Sequence, residues 1–451
     1  MSVISRRQFL KHAGNAATAL AFAVGAPQIT SASVLHGTTA PSNRINIGCI
    51  GTGNQGVQDM RAFLTEKDVQ VVAVCDVNKA SNGYKTADQF YGREPARDIV
   101  NNSYAEQIRS GIFRACDMYS DFREVLARAD IDAVAIVVPD HWHAIMTIMA
   151  AQAGKDIYCE KPLSLTVEDG RNMVNAVRKS GVILQTGSHE RSNGRTRFAC
   201  ELVRNGRIGK LKKITTVVGF WNKTAPMGAW TPMPVPEGFD YDMWLGPAPL
   251  VPYHKDRCLY NFRFILDYSD GQIANYGAHS LDIAQWGNNT ELTGPIEFED
   301  NGSEWPEDGL FDVAKVVKFR AKYANGVKLE CITREDNVSC RFEGTEGSVE
   351  VGYGGFFTEP ASLKTSIIGP DEIHLGSSLN HIRNFIDCIK TRQQPAAPVE
   401  VGHRSATVTH VANIAMQLKR KLRWDPESER FIGDDEANRM LSRPVRTSWQ
   451  G

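Results

Sequence analysis

The chain has 451 residues, of which 42% are hydrophobic and 23% are charged, and its formal net charge is -1. This composition is typical of a globular protein with two or three domains, and the near-neutral charge gives no basic stripe for a nucleic-acid partner. Beyond the N-terminal region, no stretch approaches the ~18 uninterrupted apolar residues that a membrane-spanning helix requires.

The first 33 residues have the pattern of an export signal. Arg6 and Arg7 precede an uncharged, alanine-rich stretch over 13–26, and small residues follow near the end of the region. This order predicts a twin-arginine signal over 1–33, a linker over 34–43, the twin-arginine translocation machinery as a partner and a periplasmic or extracytoplasmic location. The alternative is a basic N-terminal tail without a targeting role.

The nine cysteines follow no pairing or metal-ligand spacing. Most lie in apolar stretches, as Cys75, Cys159 and Cys388 do. Because the twin-arginine route exports folded proteins, we expect buried free thiols formed in the cytoplasm, with neither a disulfide framework nor a metal site.

Strand and helix patterns alternate through the first half of the chain, which predicts a parallel, doubly wound sheet over 44–187. The predicted strands cover 44–50, 69–75, 133–138, 156–159 and 182–185, and the predicted helices cover 56–64, 141–153 and 166–179. Thr166 is the expected N-cap of the last of these helices. Residues 91–117 form a long polar insertion that we expect to be surface-exposed.

The second half, 188–451, predicts an α/β domain with a largely antiparallel sheet, because short strands are joined by tight turns. The predicted strands cover 211–221, 312–320, 326–333, 339–342 and 348–351, and amphipathic helices cover 380–390 and 403–421. We expect these helices to pack back on the first domain, and copies of the chain to associate through the C-terminal sheet.

A glycine-rich turn links the first strand to the first helix. Its sequence is Gly51-Thr52-Gly53-Asn54-Gln55-Gly56, and Asp76 ends the second strand. In this context the turn binds a dinucleotide pyrophosphate, with Asn54 and Gln55 beside it. A carboxylate at position 76 accepts hydrogen bonds from ribose hydroxyls and repels a 2′-phosphate, which favours NAD over NADP. The alternative is an ordinary turn with a surface aspartate.

Two further motifs follow later strands of the predicted sheet. Glu160-Lys161-Pro162 closes the strand at 156–159, where Lys161 can point at the reacting end of a dinucleotide. Pro139 and the segment 140–143 follow the strand at 133–138, and Asp140 is a possible helix cap. His141 and His143 face different sides of a helix, which argues against a zinc site. We expect Pro139 and one histidine, His143, to line the cofactor site and the other histidine to be structural.

Together these motifs resemble the Gfo/Idh/MocA family of oxidoreductases, over about residue 44 to the end. The matching segments are Gly51-Thr52-Gly53, Ala153-Gly154-Lys155, Glu160-Lys161-Pro162 and Gly277-Ala278-His279-Ser280-Leu281-Asp282. The resemblance implies that Lys161 stabilises the developing alkoxide of a substrate, that Glu160 binds the cofactor and holds Lys161, and that His279 is the general base.

The chain departs from the family pattern at one position. Many members carry Asp-x-Gly-x-His, whose aspartate assists the histidine, whereas this chain has Asn275-Tyr276-Gly277-Ala278-His279. Asparagine positions a hydroxyl group but cannot relay a proton. Tyr276 or Asp282 would then substitute for the aspartate, or His279 would act alone.

Several further side chains lie in segments that the family uses around its substrate. Arginines fork to hydroxyls or carboxylates and tryptophans stack on sugar faces, although each residue is equally consistent with ordinary packing. These weaker candidates are His189, Arg191, Trp221, Trp230 and Arg263, together with Asn275, Tyr276 and Asp282.

The sequence therefore predicts an NAD-dependent oxidoreductase that acts on a secondary hydroxyl of a sugar, cyclitol or glycoside, with a tightly bound and recycled cofactor. One alternative is a glycosidase or lyase that works through a transient keto-sugar. Another is a non-catalytic carbohydrate-binding protein on a dehydrogenase fold.

Overall fold

The computed structural model describes residues 43–220, 230–335, 338–376, 378–446 and 449. The first domain is built on a six-stranded sheet in which every pairing is parallel, in the order β3-β2-β1-β4-β5-β6. Its strands are β1 (Ile45–Ile50), β2 (Val69–Cys75), β3 (Asp117–Tyr119), β4 (Ala133–Ile136), β5 (Asp156–Cys159) and β6 (Leu184–Thr186). The predicted doubly wound sheet is confirmed. Its strand order reverses between β1 and β4, which places a ligand crevice at the carboxyl ends of these strands.

Helices connect these strands. They are α1 (Asn54–Leu64), α2 (Arg93–Ser103), α3 (Ala105–Arg109), α4 (Phe122–Ala127), α5 (His143–Gln152) and α6 (Val167–Ser180). The Thr166 side chain caps α6 by accepting a hydrogen bond from the amide of Asp169, as predicted, and Gly181 ends the helix with φ +64°.

Most residues of the insertion over 91–117 are exposed or half-buried, as expected, but the segment is helical and one of its faces is buried. It contains α2 and α3, and Ala96 and Val100 are buried against β2. The Tyr104 hydroxyl accepts a hydrogen bond from the amide of Val71 at 3.2 Å. The polar composition gave no sign of this buried face, because a helix with one narrow apolar stripe packs well even when most of its residues are polar.

The second domain carries a nine-stranded sheet in the order β13-β12-β11-β7-β10-β9-β8-β14-β15. Only β7 and β10 pair in parallel, so the predicted largely antiparallel sheet is confirmed. The strands are β7 (Lys213–Gly219), β8 (Pro295–Asp300), β9 (Lys318–Tyr323), β10 (Lys328–Arg334), β11 (Ser339–Glu343), β12 (Ser348–Gly352), β13 (Gly355–Glu359), β14 (Leu422–Asp425) and β15 (Arg430–Phe431). The strand predicted over 312–320 begins later, at 318. Association of copies through this sheet stays a prediction.

The helices of the second domain are α7 (Gly194–Arg204), α8 (Tyr241–Leu245), α9 (Gln272–Asn275), α10 (Gly277–Gly287), α11 (His381–Thr391), α12 (Val399–Leu418) and α13 (Asp435–Arg439). As predicted, the C-terminal part of the chain returns to the first domain. Phe385 on α11 makes edge contacts with Phe63 and Tyr158, and Arg392 forms an ion pair with Asp156 at 2.8 Å.

All nine cysteines are free and buried, as predicted. Within the described residues, no helix combines the length and apolarity needed to cross a membrane.

Candidate active site

A cleft with about 1270 Å³ of empty space, part of it open to solvent, lies at the carboxyl ends of β1, β2, β4 and β5. The first domain supplies the glycine turn, the ends of these strands and the Lys161 loop. The second domain supplies residues from three segments, Phe239–Trp244, Leu259–Arg263 and Ser269–Asn275. The cleft therefore lies between the domains, with one wall from each.

The glycine turn is tightly packed. A Cβ at Gly51, where φ is +86°, would lie 2.1 Å from the Val137 oxygen, and a Cβ at Gly56 would lie 2.0 Å from the Gly51 oxygen. Within the described residues, no side chain caps α1 at Gly53, and its first turn carries no acidic residue. The amides at this helix N-terminus thus fit a dinucleotide pyrophosphate.

Asp76 lies in the cleft wall at the end of β2. Its Oδ2 accepts a hydrogen bond from the Thr52 amide at 2.7 Å, and its Oδ1 accepts one from the Asn78 amide at 2.8 Å. Burial raises the pKa of Asp76, although these hydrogen bonds oppose the rise. The carboxylate is held beside the glycine turn, where it fits the adenosine ribose of NAD.

The loop over 77–91 covers the glycine turn. No sequence motif indicated this contact. The Tyr84 ring lies against Gly53, so that a Cβ there would be 2.7 Å from the ring. Gln89 donates a hydrogen bond through Nε2 to Asn54 Oδ1 at 3.0 Å. Position 54 thus lines the cleft and also anchors its cover.

The second domain extends this cover. The Lys79 amide donates a hydrogen bond to the Gly238 oxygen at 2.8 Å, and the Asp240 amide donates one to the Val77 oxygen at 3.1 Å. Phe239, between these bonds, lines the cleft. The nucleotide end of the cleft is therefore closed by backbone contacts between the two domains.

Lys161 lies where the two walls meet. Its Nζ donates hydrogen bonds to the backbone oxygen of Asn275 at 3.1 Å and to Asn275 Oδ1 at 3.2 Å. Asn275 Nδ2 in turn donates to Gln272 Oε1 at 3.0 Å. The side chain at position 275 therefore orients the lysine and not the histidine. Burial lowers the pKa of Lys161, and the nearby charge of Arg263 adds to this effect while Glu160 opposes it.

Glu160 is buried beneath the Lys161 loop. Its Oε1 accepts a hydrogen bond from the Tyr158 hydroxyl at 3.3 Å, and its Oε2 accepts one from the Lys161 amide at 3.2 Å. A Cβ at position 187 would lie 2.0 Å from Glu160 Oε1, so Gly187 leaves the space that this carboxylate fills. Gln55, which also lines the cleft, donates to Asp59 Oδ1 at 2.8 Å.

The two histidines after β4 are both structural, which corrects the prediction that His143 lines the cofactor site. His143 Nδ1 lies 2.7 Å from the Pro162 oxygen, and its Nε2 lies 2.9 Å from the Val138 oxygen. Carbonyl oxygens only accept, so both nitrogens must carry a proton. Burial alone would lower the pKa of His143, but Cys159 and other nearby groups outweigh it and raise the pKa to about 9.

His143 thus ties the end of β4 to the Lys161 loop as an imidazolium ion. His141 instead faces the second domain, with Nε2 3.0 Å from the Trp244 oxygen. Pro139 lies in the cleft wall, as predicted.

Asp140, which the sequence left open as a possible helix cap, makes no capping hydrogen bond in the helices that follow β4. It lies in the cleft wall, where Ser269 donates a hydrogen bond to its carboxylate and His143, Lys161 and Arg263 lie close enough to favour its charged form. Burial nevertheless raises the pKa of Asp140. A charged residue directly after a strand end was the only sequence signal for this role.

His279 is buried in the first turn of α10, and it is not among the described residues that line the cleft. Its Nδ1 is buried and has no hydrogen-bond partner among the described residues. Burial lowers the pKa of His279 well below its usual value, and the charges of Lys161 and His189 add to the effect. The ring is therefore neutral at pH 7, which is the form a general base requires.

Arg191 and Asp282 do not face the cleft, which corrects their prediction as substrate-binding residues. Arg191 donates to both oxygens of the Asp282 carboxylate at 2.7 and 2.8 Å, and both residues are buried. Asp282 also accepts a hydrogen bond from Ser405 at 2.7 Å. Because the two groups satisfy each other, they form an internal ion pair of the second domain.

Of the remaining candidates, some lie at the cleft and others pack elsewhere in the second domain. Arg263 lines the cleft, and its guanidinium lies 3.8 Å from the centre of the Tyr260 ring. Tyr276 packs against Gly219 beside the site. Trp230 instead packs on Arg257, at 4.9 Å, and Trp221 lies outside the described residues.

Comparison with known proteins agrees with this geometry. Residues 45–188 match the family described as "Oxidoreductase family, NAD-binding Rossmann fold", and residues 196–451 match "Oxidoreductase family, C-terminal alpha/beta domain". The chain belongs to the Gfo/Idh/MocA oxidoreductase family. Its first domain is an NAD-binding Rossmann domain.

Solved structures share this fold. An aldose-aldose oxidoreductase from Caulobacter crescentus is 20% identical, with a TM-score of 0.57 over 84% of this chain and 99% of that one. The WlbA dehydrogenase from Bordetella pertussis, solved with NADH and UDP-GlcNAcA, is 18% identical, with a TM-score of 0.58 over 85% and 99%. Levoglucosan dehydrogenase, solved with NADH and levoglucosan, is 19% identical, with a TM-score of 0.56 over 84% and 99%.

Curated relatives match over shorter stretches. A 2,7-anhydro-N-acetylneuraminate hydratase from Mediterraneibacter gnavus is 25% identical over 41% of this chain and 42% of its own length. A 1,5-anhydro-D-fructose reductase from Ensifer adhaerens is 40% identical over 19% and 26%. An alpha-N-acetylgalactosaminidase from Shewanella oneidensis is 28% identical over 47% and 45%. Each match spans less than half of the relative.

Proposed function

We propose that this chain is an exported, NAD-dependent oxidoreductase that acts on a secondary hydroxyl of a sugar, cyclitol or glycoside. The observation that carries the proposal is Lys161. Its ammonium group lies where the NAD cleft meets the second domain, and Asn275 holds it there. A fixed cation in a partly buried site stabilises the alkoxide that forms as a hydroxyl carbon is oxidised.

The chemistry divides among few groups. NAD, when bound, takes up the hydride from the hydroxyl carbon or returns it. Lys161 stabilises the negative oxygen, and His279 removes the hydroxyl proton in its neutral form. Glu160 holds the Lys161 amide and so orients the loop that carries the ammonium group.

The covered cleft supports a retained cofactor. The loop over 77–91 and the bonds near Gly238 and Asp240 close the nucleotide end. Outside the cytoplasm no pool of free NAD replaces a lost cofactor, so we propose that NAD is bound before export and recycled within each turnover. Dissociation would then require the cover to open, which slows cofactor loss.

A second candidate is a glycosidase or lyase. In this mechanism, transient oxidation to a keto-sugar permits elimination of the glycosidic bond, and the stored hydride is then returned. A retained cofactor would favour such a redox-neutral cycle, and the matched relatives include a hydratase and an alpha-N-acetylgalactosaminidase as well as a reductase. A non-catalytic carbohydrate-binding protein is the third candidate, and Lys161 and His279 argue against it.

A sugar panel tests these candidates on the purified protein. Bound NAD is first quantified, and free sugars, cyclitols and glycosides are then added while nicotinamide absorbance and products are followed by spectroscopy and mass spectrometry. Keto products with reduced nicotinamide support the dehydrogenase. Released sugars without net reduction support the glycosidase. An empty nucleotide site and no product would contradict both and favour the binding protein.

Export has its own test. Replacing Arg6 and Arg7 together by Lys should hold folded, NAD-loaded precursor in the cytoplasm, because the arginine pair addresses the twin-arginine route. Cell fractionation measures the distribution of the protein. Normal export of the double variant would indicate another route or none.

A further inference from the structure

His279 lacks the acidic partner that the family pattern supplies. Asn275 donates and accepts within the Lys161 site, and Asp282 is paired with Arg191. Asn275 therefore does not replace the family's carboxylate, and Asp282, which we expected as a possible substitute, is occupied by Arg191. The proton that His279 removes needs another acceptor.

His279 is also poorly suited to keep a proton. The ring is buried, and its Nδ1 has no hydrogen-bond partner among the described residues. Lys161, His189 and His381 lie close enough for their charges to disfavour the imidazolium ion. A base in these surroundings must pass its proton on quickly, because burial penalises the charged form.

His189 lies directly against this ring. The two imidazole centroids are 4.7 Å apart, with the rings tilted by 54°. The His189 side chain is 48% exposed, and its Nε2 lies 3.5 Å from Glu190 Oε1. His189 therefore contacts His279 on one side and reaches solvent on the other.

Glu190 makes this neighbouring position favourable for a positive charge. Its Oε2 accepts hydrogen bonds from the Thr196 hydroxyl at 3.0 Å and from Asn193 Nδ2 at 3.1 Å. Burial alone would raise the pKa of Glu190, but His189, Thr196 and Asn193 outweigh it and hold the pKa below its usual value. A buried carboxylate that stays ionised stabilises an adjacent imidazolium.

We propose that His189, paired with Glu190, accepts the proton that His279 removes from the substrate hydroxyl and delivers it to solvent. The proposal rests on the proposed function. The substrate O–H bond breaks and its proton goes to one ring nitrogen of His279, while NAD, when bound, would take up the hydride from the hydroxyl carbon. A proton then passes to His189, through a small ring rotation or a bridging water, and on to bulk water. His279 is neutral again for the next turnover.

Other groups also face this pair. Lys161 adds positive charge near His279, while burial lowers the pKa of His381 to about 4 and raises the pKa values of the Tyr276 and Tyr353 hydroxyls, so these three groups stay neutral. Glu190 is the acidic group that contacts His189 among the described ion pairs. The direction of proton transfer, from His279 towards His189, follows from this asymmetry.

The first test needs no substrate. In NAD-loaded protein labelled with ¹⁵N-histidine, NMR signals of the two rings are assigned by their loss in His189→Gln and His279→Gln and are titrated with pH. The His279 ring should be neutral at neutral pH, because its pKa lies well below its usual value. If His279 is the more basic of the two, the proposal is wrong.

The second test uses the panel sugar that reduces the bound nicotinamide fastest. In single turnovers, His189→Gln should slow hydride transfer about ten- to a hundredfold, with KM within about twofold, because a proton-transfer group and not a binding group is lost. Added imidazole should restore part of the rate. The matched control is His374→Gln, at an exposed histidine that does not line the cleft, which should leave the rate unchanged.

The outcomes distinguish a failure of the proton relay from His279 to His189 (the relay) from a failure of the proposed oxidoreductase function. Normal hydride transfer in His189→Gln, or a raised KM with unchanged turnover, would overturn the relay and leave the oxidoreductase intact. If the wild-type protein retains NAD but no panel sugar reduces it, the proposed function is wrong and the relay with it.

Discussion

The two walls of the cleft are built in different ways. The first-domain wall is made of short motifs at the carboxyl ends of neighbouring parallel strands, such as Gly51–Gly56, Asp76 and Lys161. The second-domain wall is assembled from distant segments, Phe239–Trp244, Leu259–Arg263 and Ser269–Asn275, and His279 follows the last of them at the start of α10. Local motifs thus hold the cofactor, whereas tertiary packing determines which side chains surround the substrate.

Removal of the Lys161 charge, at the junction of the two walls, should give the largest loss of turnover. Lys161→Ala should remain folded and NAD-loaded but lose at least about a hundredfold in turnover, because no other group replaces the electrostatic stabilisation of the alkoxide. Turnover and bound NAD are measured on the same sample. Lys210→Ala, at an exposed lysine, is the control. Near-normal turnover would remove Lys161 from the mechanism.

The contribution of His143 to the stability of the first-domain wall should depend on pH. Its pKa of about 9 in the folded protein exceeds the unfolded value of about 6.5, so its stabilisation is complete below pH 6.5 and is lost as pH rises through 9. The wild-type advantage over His143→Gln in unfolding free energy should therefore fall by on the order of 2–3 kcal/mol over this window. Denaturant unfolding at several pH values measures it. A pH-independent difference would mean that His143 is neutral.

Asp76 tests cofactor choice in the same wall. Asp76→Ala should weaken NAD binding by about tenfold and reduce discrimination against NADP, because the carboxylate both binds the ribose hydroxyls and repels a 2′-phosphate. Calorimetry on protein stripped of cofactor and reloaded measures both affinities. An unchanged NAD/NADP ratio would show that another group selects the cofactor.

Asn275→Asp, the last substitution, should give the smallest change. It tests whether position 275 on the second-domain wall acts on Lys161 or on His279. In Asn275→Asp a carboxylate would replace the amide oxygen that lies 3.2 Å from Lys161 Nζ, which should raise the pKa of the lysine. The basic limb of the activity–pH profile should move to higher pH, while the acidic limb of His279 stays in place. Movement of the acidic limb instead would show that position 275 acts on the histidine.

The first wall was largely predictable from the sequence. The glycine turn, Asp76, Pro139 and Glu160–Lys161 all line the cleft, because strand ends in a parallel sheet meet at one edge. His143 was the exception. His143 lies close to these motifs, as the sequence suggested. Only the fold shows that a backbone oxygen contacts each of its two ring nitrogens.

The second wall was less predictable because pairing between distant segments decides it. Arg191 and Asp282 are 91 residues apart and neutralise each other in the interior, so neither reaches substrate. His189 was only a weak candidate for the substrate side, and no motif indicated that it packs on His279. Amphipathic patterns predicted the sheet and helices that support these residues but carry no information on which polar groups become partners.

Transfer of hydride from sugar to nicotinamide is the central claim, and isotope transfer tests it most directly. The reactive panel sugar, deuterated at the hydroxyl carbon that is oxidised, is mixed with NAD-loaded protein and quenched within the first turnover, and the nicotinamide is analysed by mass spectrometry. We expect deuterium on the nicotinamide ring in the wild-type protein and at least about a hundredfold less in Lys161→Ala over the same time. Product formation with the deuterium still on the sugar, or released to water, would contradict the account.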